Sequence, residues 1–156
     1  MEYKHAKVIA PCGKLCETCS KYHSSEIVIA AKTMFQYLNG YEEYLQKENR
    51  SDELEEYSVF KRVVTKFSEG HCFGCRYTQS CNGRVNGCVV CDCTKSRNIA
   101  FCGQCSMYPC NRVDTSDSDE INTWKERTDA LKLAGTEGYY YDNICKSHYA
   151  GYKQEE

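Results

Sequence analysis

Residues 88–110 read CVVCDCTKSRNIAFCGQCSMYPC and hold six cysteines in 23 residues. Widening the window to 71–110 raises the count to nine, with almost no helical period between them. A loop-rich stretch of this kind buries little apolar surface. Ordering its backbone costs about 1–2 kcal/mol per residue, so the stretch needs a cross-link of another kind. The spacing of the thiols points to one. Cys72 and Cys75 stand as CFGC, Cys88 and Cys91 as CVVC, Cys102 and Cys105 as CGQC, and Cys16 and Cys19 as CETC. A C-x-x-C pair in a tight turn presents two thiolates to one metal, with backbone N–H groups stabilising the sulfur charge. Gly74 and Gly103 inside two of the turns suit this, because glycine tolerates positive φ. Two pairs complete one tetrahedral zinc site.

Three other linkages compete. Disulfides suit an exported chain, but Val8, Ile9 and Ala10 are the only apolar run near the start, too short for a signal peptide. Thirteen cysteines is also an odd number. A thiol redox centre needs one pair at a helix start in a βαβ setting, and no strands alternate with helices here. Iron–sulfur is the closer rival, because thiolates hold both metals. Cys12, Cys16 and Cys19 have the C-x3-C-x2-C spacing of radical S-adenosylmethionine enzymes. Those enzymes need most of a β/α barrel, larger than this chain, and Thr18 stands where their motif prefers an aromatic residue.

The remaining sequence is helical in pattern. Ile27, Ala30, Ala31, Met34, Leu38, Tyr41 and Leu45 recur at spacings of three and four. Ser24 or Ser25 can cap that helix, and Gly40 can divide it. A second helix begins near Ser51 or Asp52, with Asp52 and Glu55 at capping-box spacing. It buries Leu54, Tyr57, Val64 and Phe67 and ends at Gly70. A third opens with Asp117 and Glu120, buries Ile121, Trp124, Thr128 and Leu131, and stops at Gly135. The expected architecture is one domain over 1–156: a cysteine knot at 12–19, helical 24–69, a cysteine cluster at 71–110, and a helix at 117–134 with a tail. In class it is mainly α with a loop-rich, metal-stapled cysteine cluster, a small irregular α+coil zinc-binding domain. Gly138–Tyr152 reads as either a docking tail or a strap packed on the domain.

Function classes narrow accordingly. The net charge of −2, from 20 Lys+Arg against 22 Asp+Glu, gives no general pull toward nucleic acid or anionic membrane. Lys95, Arg97, Arg84 and Arg76 make only a thin basic patch near the cluster, so a nucleic-acid-binding zinc ribbon is disfavoured. No apolar run approaches a membrane span. The reading is a cytoplasmic protein. G-x-S-x-G, H-E-x-x-H and the phosphate-binding loop are missing, so no catalytic residue is assigned and the reading leans away from an enzyme. Thirteen tyrosines favour another protein as partner. Cys145, alone in DNICKSH, reads as a buried apolar filler. His71 and His23 read as solvent-facing histidines, with metal ligation the alternative.

These motifs resemble a cysteine-rich prokaryotic family, domain of unknown function 3795. Cys12, Gly13, Cys16, Cys19 and Tyr22 match its first motif, and Cys72, Gly74 and Cys75 its second. Gly87, Cys88, Val90 and Cys93 match the third, and Cys102, Cys105, Tyr108, Pro109 and Cys110 the last. Cys91 departs from the family's arginine, and Cys81 is extra. The resemblance implies zinc binding with no assigned reaction. It also implies a ligand set of Cys12, Cys16, Cys19, Cys72, Cys75, Cys88, Cys93, Cys102, Cys105 and Cys110. Eight of these complete two sites, and Cys81 and Cys91 would extend the set to three. The expectation is at least two zinc ions, with pairing left open. The early knot must borrow a later cysteine or keep an open position.

Overall fold

A computed structural model of the chain describes residues 5–78, 88–113 and 118–150. The architecture is a small, mainly helical fold with irregular coil. No extended strand forms among the described residues, and Ile9 and Leu15 pair in an isolated antiparallel bridge. The chain gathers into two compact units, Ser20–His71 and Met1–Cys19 with Cys72–Glu156. All thirteen cysteines lie in the second of these, and none in 20–71.

The Ser20–His71 unit is built from α1 (Glu26–Tyr37), α2 (Tyr41–Lys47) and α3 (Ser51–Ser68). Ser25 caps α1, its Oγ accepting from the Val28 N–H at 3.3 Å. Gly40, at φ 85°, divides α1 from α2. Helices α1 and α2 both pack on α3. Val28, Ala31, Leu45, Tyr57 and Val64 are buried, with Tyr41 edge-on to Tyr57 at 5.0 Å. The expected stripe holds in part: Ala31 and Leu45 are buried and Ile27, Leu38 and Tyr41 half-buried, but Val28 is fully buried in place of Ala30, which is exposed, and Met34 is 45 % exposed. The expected burial of Phe67 also fails. The Asp52–Glu55 capping box does not form. Arg50 is the N-cap, with no side-chain capping bond, and pairs instead with Glu53 one turn on.

In the other unit, α4 (Cys75–Thr78) is a single turn, α5 spans Val89–Ser96 and α6 spans Ser118–Asn143. Helix α5 is one short helix within the loop-rich 71–110 stretch. Its first turn takes in CVVC, so that pair opens a helix rather than a free-standing metal turn. The expected Asp117 helix start lies outside the described residues. Gly135 (φ 68°, ψ 174°) ends the first helix of α6, as expected, and a second follows across the kink to Asn143. The helix resumes because Tyr139 is buried, its hydroxyl donating to the Gly13 carbonyl at 2.7 Å. The first part of the expected tail is therefore strapped down. Farther on, His148 lies against the CETC turn, its Nδ1 3.2 Å from Thr18 Oγ1. Cys145 is exposed, not a buried filler. One core joins Ile9, Leu15, Phe101, Leu131 and Tyr139, and a second joins Val90, Cys102 and Trp124. Among the described residues no helix is long and apolar enough to cross a membrane.

Leu45 is fully buried beneath α3. Leu45→Ala should therefore cost about 2–5 kcal/mol in urea unfolding. Met34→Ala, at an exposed position, should stay within about 0.5 kcal/mol of the parent.

Candidate metal centre

Two C-x-x-C pairs adopt the same local geometry. Cys16–Thr18 and Cys102–Gln104 are 3-10 turns. Each closes with the second cysteine's N–H on the first cysteine's carbonyl: Cys19 to Cys16 at 2.9 Å and Cys105 to Cys102 at 3.0 Å. The CFGC pair is different. Gly74 sits at φ 90°, which turns its N–H onto Cys72 Sγ at 3.4 Å. This is the sulfur-stabilising contact expected of a metal-binding turn. Gly103 does not use positive φ. It is there for close approach, since a Cβ would stand 3.0 Å from Thr128 Cγ2 on α6. Gln104 secures the same turn, its Oε1 accepting from the N–H groups of Ala100 and Phe101.

The thiols fall into two groups and a remainder. Cys16 has Cys72, Cys12 and Cys19 as electrostatic neighbours. Cys72, from a later segment, is thus within electrostatic range of the early knot. Cys102 has Cys110, Cys93 and Cys105 around it, with Cys12 farther down the order of influence. Cys91, which departs from the family pattern, is buried on α5 and donates through Sγ to the Cys75 carbonyl at 3.2 Å. Cys88 packs at the edge of the Trp124 core. Cys81 and Arg84 lie outside the described residues. None of the described cysteines is in a disulfide. The two groups are neighbourhoods rather than closed shells: among the described residues no three His, Cys, Asp or Glu side chains are arranged to grip a metal ion. His71 is exposed and His23 lies against the Tyr22 ring at 4.8 Å.

Burial pushes the Cys16 thiol up to about 12, and its three cysteine neighbours add to the effect while Arg76 opposes it. Burial likewise raises Cys102 to about 11, with Cys110, Cys93 and Cys105 adding. Without a cation these sulfurs hold protons. A divalent ion inverts that preference, because a coordinating thiol is deprotonated outright.

The surroundings fit thiolates better than thiols. Three buried N–H donors have no hydrogen-bond partner among the described residues: Arg76 Nη2, Trp124 Nε1 and Arg127 Nε. Trp124, the only tryptophan, is 3 % exposed and packs with Cys102, with Cys12 and Cys88 at its edge. Arg76 has Cys75, Cys16 and Cys91 as neighbours, and Arg127 packs on Gly13, next to Cys12. A neutral thiol is a weak acceptor, whereas a thiolate satisfies such donors. Sequence patterns had marked Trp124 only as a core residue and Arg76 as part of a basic patch. Its guanidinium is in fact turned inward.

The raised thiol values give a pH dependence. The reduced, metal-stripped chain keeps this contribution to stability in full below about pH 9, where unfolded thiols titrate. It loses it as pH rises through about 11 for Cys102 and about 12 for Cys16. Urea unfolding between pH 8 and 11 should show falling stability; a flat profile would contradict the burial of these thiols.

No curated protein and no solved structure matches the chain. A family model does match, over residues 8–115, and that span takes in every cysteine except Cys145. On that match the chain belongs to the family described as "Protein of unknown function (DUF3795)".

Proposed function

We propose that the chain is a zinc-binding domain in which at least two ions, held by thiolates, staple the cysteine-bearing unit, and that it serves as an interaction module in a reducing compartment such as the cytoplasm. The observation that carries this reading is the pair of C-x-x-C turns closed alike at Cys16–Cys19 and Cys102–Cys105, with the Gly74 N–H on Cys72 Sγ; Cys12, Cys19 and Cys72 lie within electrostatic range of Cys16. Cys93, Cys105 and Cys110 around Cys102 supply a second set of four. Cys75 and Cys88 stand beside these groups as further ligands of the proposed set. Four thiolates leave a zinc ion no open position for water or substrate, so its role is structural. The unpartnered N–H donors supply the outer contacts that such a charge-rich centre needs.

The interaction role draws on the helical unit. Ile29, Met34, Val59, Val63 and Phe67 on α1 and α3 are 39–49 % exposed, which suits a protein partner better than a nucleic acid. The same donor set also fits an iron–sulfur cluster, because thiolate sulfur takes iron as readily as zinc. Colour separates the two.

Protein purified without oxygen should carry two or more zinc ions per chain and show no visible absorbance. Brown protein with iron would replace this reading by the iron–sulfur one, and metal-free protein of full stability would end both. Chelation should lower Tm and change the emission of Trp124, the single tryptophan. Helicity from α1, α2 and α3 should persist, since 20–71 holds no cysteine. Zinc should also leave as pH falls, because protons compete for the sulfurs.

A further inference from the structure

We infer that the exposed apolar stripe of α3 is a self-association surface, on which a second copy of the chain lays its own α3 antiparallel about a two-fold axis. This rests on the interaction role above and names its partner.

Helix α3 has two apolar faces. One carries Tyr57 and Val64, both buried in the helical unit. The other carries Val59, Phe60, Val63 and Phe67, each 39–49 % exposed. Residues three and four apart are neighbours on a helix, so these four make one stripe. A solvated face would be polar there. Over nine residues the stripe runs about 12 Å along the helix.

The charges decide what covers it. Helix α3 is acidic first, with Asp52, Glu53, Glu55 and Glu56, and basic later, with Lys61, Arg62 and Lys66. Two of these are engaged within the chain: Glu53 pairs with Arg50, and Lys61 pairs with Glu42 on α2. Glu55, Arg62 and Lys66 are exposed and have no ion-pair partner among the described residues. With Val59 they fall at spacings of four, three and four, in one row along one flank of the stripe. In an antiparallel pair about a two-fold axis, like flanks face each other end for end. Glu55 of each copy then meets the basic end of the other, and the valines meet across the centre. A parallel pair would set acid on acid and base on base. A nucleic acid, or any partner of one charge sign, would meet like charge at one end of the row. The contact is small, so the pair is weak, with a dissociation constant of about 10–100 μM. The charges set its orientation more than its affinity.

The test is sedimentation equilibrium on the full chain, reduced and under nitrogen, with metal content read on the same samples. The parent should pass from monomer to dimer as concentration rises. Val63→Glu should loosen the pair about tenfold or more. Glu55→Lys makes the row basic throughout, and Arg62→Glu with Lys66→Glu makes it acidic throughout. Each of these variants should associate weakly alone, because like charges then face each other. Mixed in equal amounts, the two should regain association as a heterodimer. Their substitutions lie on solvent and decide the question if Val63→Glu does not fold, with helicity by circular dichroism as the control. A parent that stays monomeric overturns the inference, and metal content on that sample shows separately whether zinc binding stands. A dimer indifferent to Val63→Glu and to the charge variants uses another face; it overturns this assignment while the interaction role survives. A mixture no tighter than its components overturns the antiparallel pairing.

Discussion

The Cys102 N–H donates to the Pro11 carbonyl at 2.9 Å. This bond joins the N-terminal knot to the CGQC turn, two segments separated by most of the chain. Everything around it depends on that junction. Ala10 N–H to Lys14 carbonyl at 2.8 Å and Gly13 N–H to Ala10 carbonyl at 2.9 Å close the loop that carries Cys12. Tyr139 secures its far side through Gly13. Arg76 secures its near side through Ile9. Cys12, carried on that loop, is within electrostatic reach of both Cys16 and Cys102.

The energetics of that junction pull in two directions. Burying thiols is inexpensive while they stay protonated, and Cys16 and Cys102 are displaced toward that state. Burying N–H donors without acceptors is not, at about 1–3 kcal/mol for each neutral group. Trp124 Nε1 is such a group beside the same sulfurs. A fold with neutral thiols leaves these donors unsatisfied, and a fold with thiolates satisfies them but collects negative charge. On the proposed zinc-binding reading, a divalent cation would resolve both conflicts together.

Several elements were legible in the sequence because they are local. The Ser25 cap, the break at Gly40 and the C-x-x-C turns at Cys16 and Cys102 depend only on residues within a few positions. The phase of α1 was not legible. Residues 27–31 read IVIAA, apolar at every position, so periodicity cannot choose between the Ile27 face and the Val28 face. Helix α5 was hidden for the reverse reason: eight residues with two valines carry too little pattern to outweigh their cysteines. The second helix after Gly135 is secured by a tertiary contact, Tyr139 reaching Gly13. The association of Cys16 with Cys72 is likewise long-range, and spacing within a motif says nothing about which motif it will meet.

The division of labour between packing and sulfur follows from α6. Its buried face, Trp124, Thr128 and Leu131, lies along one side of the cysteine segments, and Gly103 meets Thr128 there with no room for a side chain. That side is held by ordinary apolar contact. Helix α4, by contrast, is four residues long, and Cys75, Arg76 and Cys91 line a cleft. Cys72 is also where the chain re-enters this unit after 20–71. A sulfur link at Cys72 closes the longest loop in the unit, and closing a long loop removes the most entropy from the unfolded chain. On the proposed zinc-binding reading, an ion held with Cys72 would therefore add more to stability than one at Cys102, whose turn already packs on α6.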